Sequence, residues 1–167
     1  MFFSGLHYLE KLILSNNQIE NIDENAFNYL INLTEMDLSS NMLKLIPNLF
    51  NYSEKLILLD LSLNNLKFIP ENLFQNLKNL KTLFLWSNNF KTIDSSIFSN
   101  LDSLNTLELS NSHIRHLPDD VFYSLIDLRA INLAMNELET VPANLFAKNS
   151  RLEVIKMERN AFFTKHT

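Results

Sequence analysis

The chain of 167 residues contains no cysteine, one glycine, four prolines and one tryptophan. The lack of cysteine excludes disulfides, thiolate zinc sites and thiol catalysis within this stretch. A single glycine, Gly5, excludes a glycine-rich phosphate loop. No apolar run approaches the roughly 20 residues of a membrane-spanning helix. The greasiest stretch, Leu56 to Leu63, is interrupted by Asp60. The opening Met-Phe-Phe-Ser-Gly-Leu has neither the basic start nor the cleavage-like site of a signal peptide. Positive charge is also short. The formal net charge of -5 argues against bulk affinity for nucleic acid.

What is present is one sentence written seven times, Leu-x-x-Leu-x-Leu-x-x-Asn-x-Leu. Its copies begin at Leu9, Leu33, Leu56, Leu80, Leu104, Leu128 and Leu152, 24 residues apart except for one spacing of 23. A fixed period of this length marks a stack of similar coils, each covering its neighbour's apolar face. The Leu-x-Leu pair has the period of two that defines a strand, so the strands should stack as a parallel sheet. The rest of each coil must cross the far side and return, and it carries apolar posts of its own. One is an Ile, Leu or Val that often precedes proline, as in Ile46-Pro47, Ile69-Pro70, Leu117-Pro118 and Val141-Pro142. Another is Phe3, Phe27, Phe50, Phe74, Phe98, Phe122 and Phe146, expected to stack as an aromatic spine along the outer side. A third is Leu6, Leu30, Leu77, Leu101 and Leu125.

The asparagine column, Asn17, Asn41, Asn64, Asn88, Asn136 and Asn160, has its own mechanism. A sharp turn after each strand leaves backbone groups inside that the sheet cannot pair, and a buried amide both donates and accepts. Ser112 is the one departure, and its shorter hydroxyl predicts the weakest rung. The 23-residue spacing places a deletion between Ile46 and Phe50.

This pattern resembles the leucine-rich repeat family in its "typical" 24-residue class, which is similar to the ectodomains of Toll-like receptors, Slit proteins and small proteoglycans. The resemblance implies an α/β-type solenoid, a horseshoe with a parallel concave sheet of about seven short strands and an irregular or 3-10 convex side. It implies one array over residues 1–167, with a partial repeat at 1–8 and a truncated last repeat. The extracellular relatives end in cysteine-rich caps, and neither is present here. The expectation is therefore a fragment of a longer extracellular or cell-surface protein, with self-association through uncapped ends as the alternative.

Function should reside on the concave face. Its central column is Ile13, Asp37, Asp60, Phe84, Glu108, Asn132 and Lys156. Phe84 and Trp86, at i and i+2 on one strand, should both face solvent there. Leu58 and Leu63 add apolar area, Asp60 and Glu108 flank Phe84, and Glu35 and Asp37 lie further along. An aromatic anchor with a polar rim is the composition of an interface hot spot, here for a protein ligand. The competing reading is that these aromatics only pack sideways on neighbouring strands. Beyond the strands, Lys44, Lys67, Lys91 and Arg115 recur at repeat spacing, either as a stripe for a polyanion or as a solvated edge.

Two glycosylation sequons begin at Asn32 and Asn51, although about three are expected by chance in so asparagine-rich a chain. No catalytic, cofactor or metal site is expected. His113 and His116 straddle the inward Ile114 with no third ligand in view, and no histidine is in register with the concave serines. The expectation is thus a non-enzymatic protein-binding module. A self-associating adhesion or matrix element and an intracellular scaffold are the alternatives.

Overall fold

A computed structural model describes residues 3–162, so the two ends of the expected array lie outside the described residues. Seven three-residue strands form one parallel sheet in chain order. They are β1 (Lys11–Ile13), β2 (Glu35–Asp37), β3 (Leu58–Asp60), β4 (Thr82–Phe84), β5 (Thr106–Glu108), β6 (Ala130–Asn132) and β7 (Val154–Lys156). Each copy contributes one strand in the same phase, so Leu59 sits opposite Met36 and Leu83, and Phe84 opposite Asp60 and Glu108.

The middle residue of every strand points inward. Met36, Leu59, Leu83 and Leu107 are 0% exposed and Leu12 8%, whereas Ile155 in β7 is 45% exposed. Complete burial in this architecture needs a coil on both sides. Fully burying one such side chain contributes about 1.5–3 kcal/mol, so the stack grows more stable with every inserted coil.

The outer side is a succession of i→i+3 turns. Each coil crosses it with bonds such as Leu73 N–H to Pro70 O, Leu77 N–H to Phe74 O and Leu80 N–H to Leu77 O. The first bond of that set recurs at Ala26, Ile97, Val121 and Leu145. Among the described residues it has no counterpart in the coil of Ile46 and Phe50, where the missing residue would have made the turn. That coil also divides the aromatic spine. Phe74, Phe98, Phe122 and Phe146 stack at 6.5, 6.1 and 5.8 Å, and Phe3 meets Phe27 at 5.9 Å. Phe50 is buried, but among the described residues no ring contact joins it to either group. The continuous spine expected from the phenylalanine column is therefore two segments.

The asparagine rungs work as the donor and acceptor inventory demands. Asn64 Nδ2 donates toward Leu38 O of the preceding coil (3.0 Å) and toward Leu61 O and Ser62 O of its own, while Oδ1 accepts from Leu43 N–H (3.0 Å). Asn41, Asn88, Asn136 and Asn160 repeat the arrangement. In the Leu6 column, Asn149 replaces leucine and is still buried, because its amide donates to Phe122 O (2.8 Å) and Leu125 O (2.9 Å).

Candidate binding face

Alternation along each strand sends the residues beside the inward one to the open face of the sheet. Parallel register then lines them up. Asp37, Asp60, Phe84, Glu108 and Asn132 form one row, and Leu58, Thr82 and Thr106 a second. The structure thus brings Phe84, Asp60, Glu108, Asp37, Glu35 and Leu58 together on one surface. Trp86 lies just past the end of β4, where its carbonyl accepts Leu63 N–H at 2.9 Å.

Phe84 and Trp86 are half-buried rather than open. Each therefore packs part of its ring against the sheet and presents the remainder. In the column of Trp86, the flanking Ser62 and Ser110 are buried at 0% and 7% exposure, so the only indole of the chain stands between two small, covered neighbours. Leu58 is half-buried as well, and Leu63 is 41% exposed. Leu63 has a φ of 53°, a left-handed conformation shared at the same place in every coil by Asn16, Ser40, Ser87, Asn111, Met135 and Arg159. That conformation costs a branched residue about 1 kcal/mol and suits asparagine better.

The acidic rim is ordered by short local bonds. Asp60 Oδ1 accepts Ser62 N–H (2.8 Å) and Ser62 Oγ–H (2.5 Å). Burial nevertheless pushes its carboxyl above the usual aspartate value, and the charge of neighbouring Asp37 adds to the rise. Burial acts the same way on Asp37, but hydrogen bonds from Ser39 and Ser15 outweigh it and hold that carboxyl below its usual value. Glu35 is not a free acid, because it pairs at 2.8 Å with Lys11 of the preceding strand. The two occupy one column in adjacent copies, so the sequence carried the signal.

Past the strands, Lys44, Lys67, Lys91 and Arg115 are all exposed. Arg115 Nε donates to Glu137 Oε2 (2.8 Å), and His113 Nδ1 lies 2.8 Å from Glu137 Oε1. The stripe is thus three lysines without an ion pair among the described residues and one arginine already engaged. Three apolar residues on this same side escaped sequence reasoning. Met42, Leu45 and Phe68 are 43%, 57% and 54% exposed. The available signal was that each interrupts a column whose other members include Asn65, Asn89, Thr92 and His116.

The sequons differ. Asn32 is half-buried, its Nδ2 donating to His7 O and its Oδ1 accepting from Lys55 Nζ, both at 2.6 Å, so a glycan on that nitrogen would crowd His7. Asn51 is exposed on the outer side; its side chain bonds within its own turn, to Asn48, and its carbonyl accepts from Asn76 Nδ2 of the next coil (3.1 Å). Among the described residues, no helix is long and apolar enough to cross a membrane, and no group of three metal-ligating side chains occurs.

Stacked coils that display a regular open face define a solenoid repeat protein. A family profile described as "BspA type Leucine rich repeat region (6 copies)" matches residues 1–116, and a second, "Leucine rich repeat", matches residues 102–162. The chain belongs to the leucine-rich repeat family, whose members are typically non-enzymatic binding modules. Among solved structures it is similar to TLR13 in a TLR13–ssRNA13 complex, with a TM-score of 0.90 and 31% identity over 95% of this chain and 22% of that one. It is also similar to the APL1 leucine-rich repeat domain, with a TM-score of 0.81 and 25% identity over 95% of this chain and 46% of that one. The chain therefore spans less than half the length of either. Comparison with curated proteins returned no match.

Proposed function

We propose that this chain is one continuous repeat array, 1–167, of a longer extracellular or receptor-type protein. We further propose that it binds a protein ligand on the sheet face around Phe84 and Trp86. The observation that carries the reading is the juxtaposition set by register. Two large aromatics, Phe84 at the end of β4 and Trp86 just past it, are anchored by their buried portions, and Asp60 and Glu108 flank Phe84 on the adjacent strands. A ring already held by its neighbours loses little conformational freedom on binding, and such rings supply most of the energy of a protein interface. Leu58 and Leu63 widen the apolar centre, and Asp37 and the Lys11–Glu35 pair form its rim.

Likeness to TLR13 supports a receptor-type reading, and the ssRNA13 of that complex raises RNA as a rival ligand. The row Asp37, Asp60 and Glu108 argues for a protein with basic residues, because a phosphate backbone meets carboxylates there. The mechanism is complementarity without turnover.

The test is a binding screen of immobilised protein against secreted proteins, with ssRNA in parallel. Ligands should lose about 30-fold or more in affinity, near 2 kcal/mol, against the Phe84→Ala/Trp86→Ala double variant. Ligands that bind the double variant equally well would put the site elsewhere. Binding of ssRNA alone would replace the protein reading.

A further inference from the structure

After its strand and asparagine, each coil runs along one side of the stack. One backbone bond per coil sets the alignment there, from Met42 N–H to Ile19 O (2.9 Å), Asn65 N–H to Leu43 O (2.9 Å) and Asn89 N–H to Leu66 O (2.8 Å). Lys44, Lys67 and Lys91 consequently stand one above another, about 4.8 Å apart per coil. Leu45 and Phe68 occupy the adjoining column, and Met42 flanks Lys44 on its other side. This is a patch of two components that the bare lysine stripe did not show. Three exposed apolar side chains interleave with three cations that have no ion pair among the described residues.

The geometry points to this side face as a second docking surface, distinct from the sheet face, for an acidic amphipathic segment of a partner protein. Charge complementarity selects the sign. The molecule as a whole is acidic, at -5, yet the nearest acids along the lysine column, Glu20 and Glu139, stand outside the three lysines at either end. Arg115, the next cation, is already engaged by Glu137. The apolar component selects the class of partner. A sulfated glycan offers nothing to Leu45 and Phe68, which leave more than half their surface in water. An anionic bilayer is broader than the patch and also meets the acids around it, Asp94, Glu20 and Glu139, whereas a short peptide can lie between them and respond to the local field within roughly 8–10 Å. Asp94 bounds the patch. It lines a recess of about 30 Å³ with Phe68, Ile69, Thr92, Ile93 and Ile97, and a bound segment must place a neutral or basic residue there.

The probe is a labelled peptide alternating Asp with Leu and Phe, titrated by fluorescence anisotropy. A matched peptide with Ser in place of Leu and Phe serves as the plain polyanion. Heparin and phosphatidylserine vesicles are run beside them. The amphipathic peptide should bind at least about tenfold more tightly than the serine peptide. It should lose about tenfold with Leu45→Ser/Phe68→Ser, and a similar amount with Lys44→Gln/Lys67→Gln/Lys91→Gln, which should also flatten its salt dependence. Equal binding of the two peptides, or heparin sensitive to the lysines but not to Leu45 and Phe68, overturns the proposal in favour of a polyanion stripe. Vesicle binding without peptide binding overturns it in favour of a membrane surface. Indifference of the peptide to both variants removes the site.

Discussion

The rung of Asn64 and the rung of Ser112 occupy the same place in coils two apart, and they are built differently. Asn64 reaches the preceding coil with both ends of its amide, at 3.0 Å each, and the turn around it is regular. Ser112 Oγ has one hydrogen, which it directs toward Ser110 O (3.1 Å) or the more distant Leu85 O (3.4 Å), and it accepts from Asn88 N–H at 3.4 Å. Phe90 N–H, which an asparagine at 112 would have received, turns instead to the Ser112 backbone carbonyl (3.1 Å). The neighbourhood rearranges to suit. Lys91 and His113 take φ values of 59° and 60°, outside the column where other coils do so. Thr92 and His116 form an isolated bridge, and Asn136 Oδ1 accepts from both Ser112 N–H and Ile114 N–H. Losing one amide therefore leaves no backbone group stranded there. It converts a side-chain rung into a backbone one, at the expense of two left-handed residues.

The sharpest way to break this comparison is to remove both rungs. Asn64→Ala strands Leu43 N–H in the interior and takes one of two donors from each of the Leu38, Leu61 and Ser62 carbonyls, so it should cost about 2–3 kcal/mol. Ser112→Ala, with its long bonds, should cost nearer 1 kcal/mol by urea denaturation. Equal losses would mean the two rungs are equivalent after all. Restoring the consensus with Ser112→Asn should add about 1 kcal/mol and raise Tm, provided Lys91 and His113 leave the left-handed region. An NMR structure of that variant with unchanged φ at both residues would contradict the explanation. A smaller gain, about 0.5 kcal/mol, is expected for Leu63→Asn, because it relieves a left-handed leucine. The same change should weaken a ligand on the sheet face, so stability and affinity should move in opposite directions.

The smallest effect is electrostatic. Hydrogen bonds from His113 and Arg115 hold the Glu137 carboxyl below the ordinary value of 4.5. A depressed carboxylate stabilises the fold above the unfolded value, and that contribution disappears as pH falls through the folded one. Glu137→Gln should therefore lower stability slightly at neutral pH and lose less than the parent on acidification below about 4.5. Parallel pH profiles would show that these exposed contacts carry no weight.

The candidate site divides along similar lines. That Phe84 stands between Asp60 and Glu108 was legible, because register follows from period alone. That Phe84 and Trp86 are half-buried was not, since side-chain exposure depends on what the neighbouring Ser62 and Ser110 leave uncovered. The apolar part of the side patch was equally hidden, because Met42, Leu45 and Phe68 read as ordinary loop residues until the coils are stacked. The lysine column was visible throughout, but the diversion of Arg115 to Glu137 spans two coils and no single copy contains it.

By itself the sequence determined the repeat length, the strand positions, the parallel register, the inward leucines and the place of the odd rung at Ser112. All of these follow from periodicity, which acts locally and is repeated seven times. Only the tertiary structure decided how the Ser112 turn repairs itself, where the phenylalanine spine divides and which exposed side chains meet. The physical reason is that each of these depends on two or more coils at once, through backbone groups and surfaces that exist only after the coils have stacked.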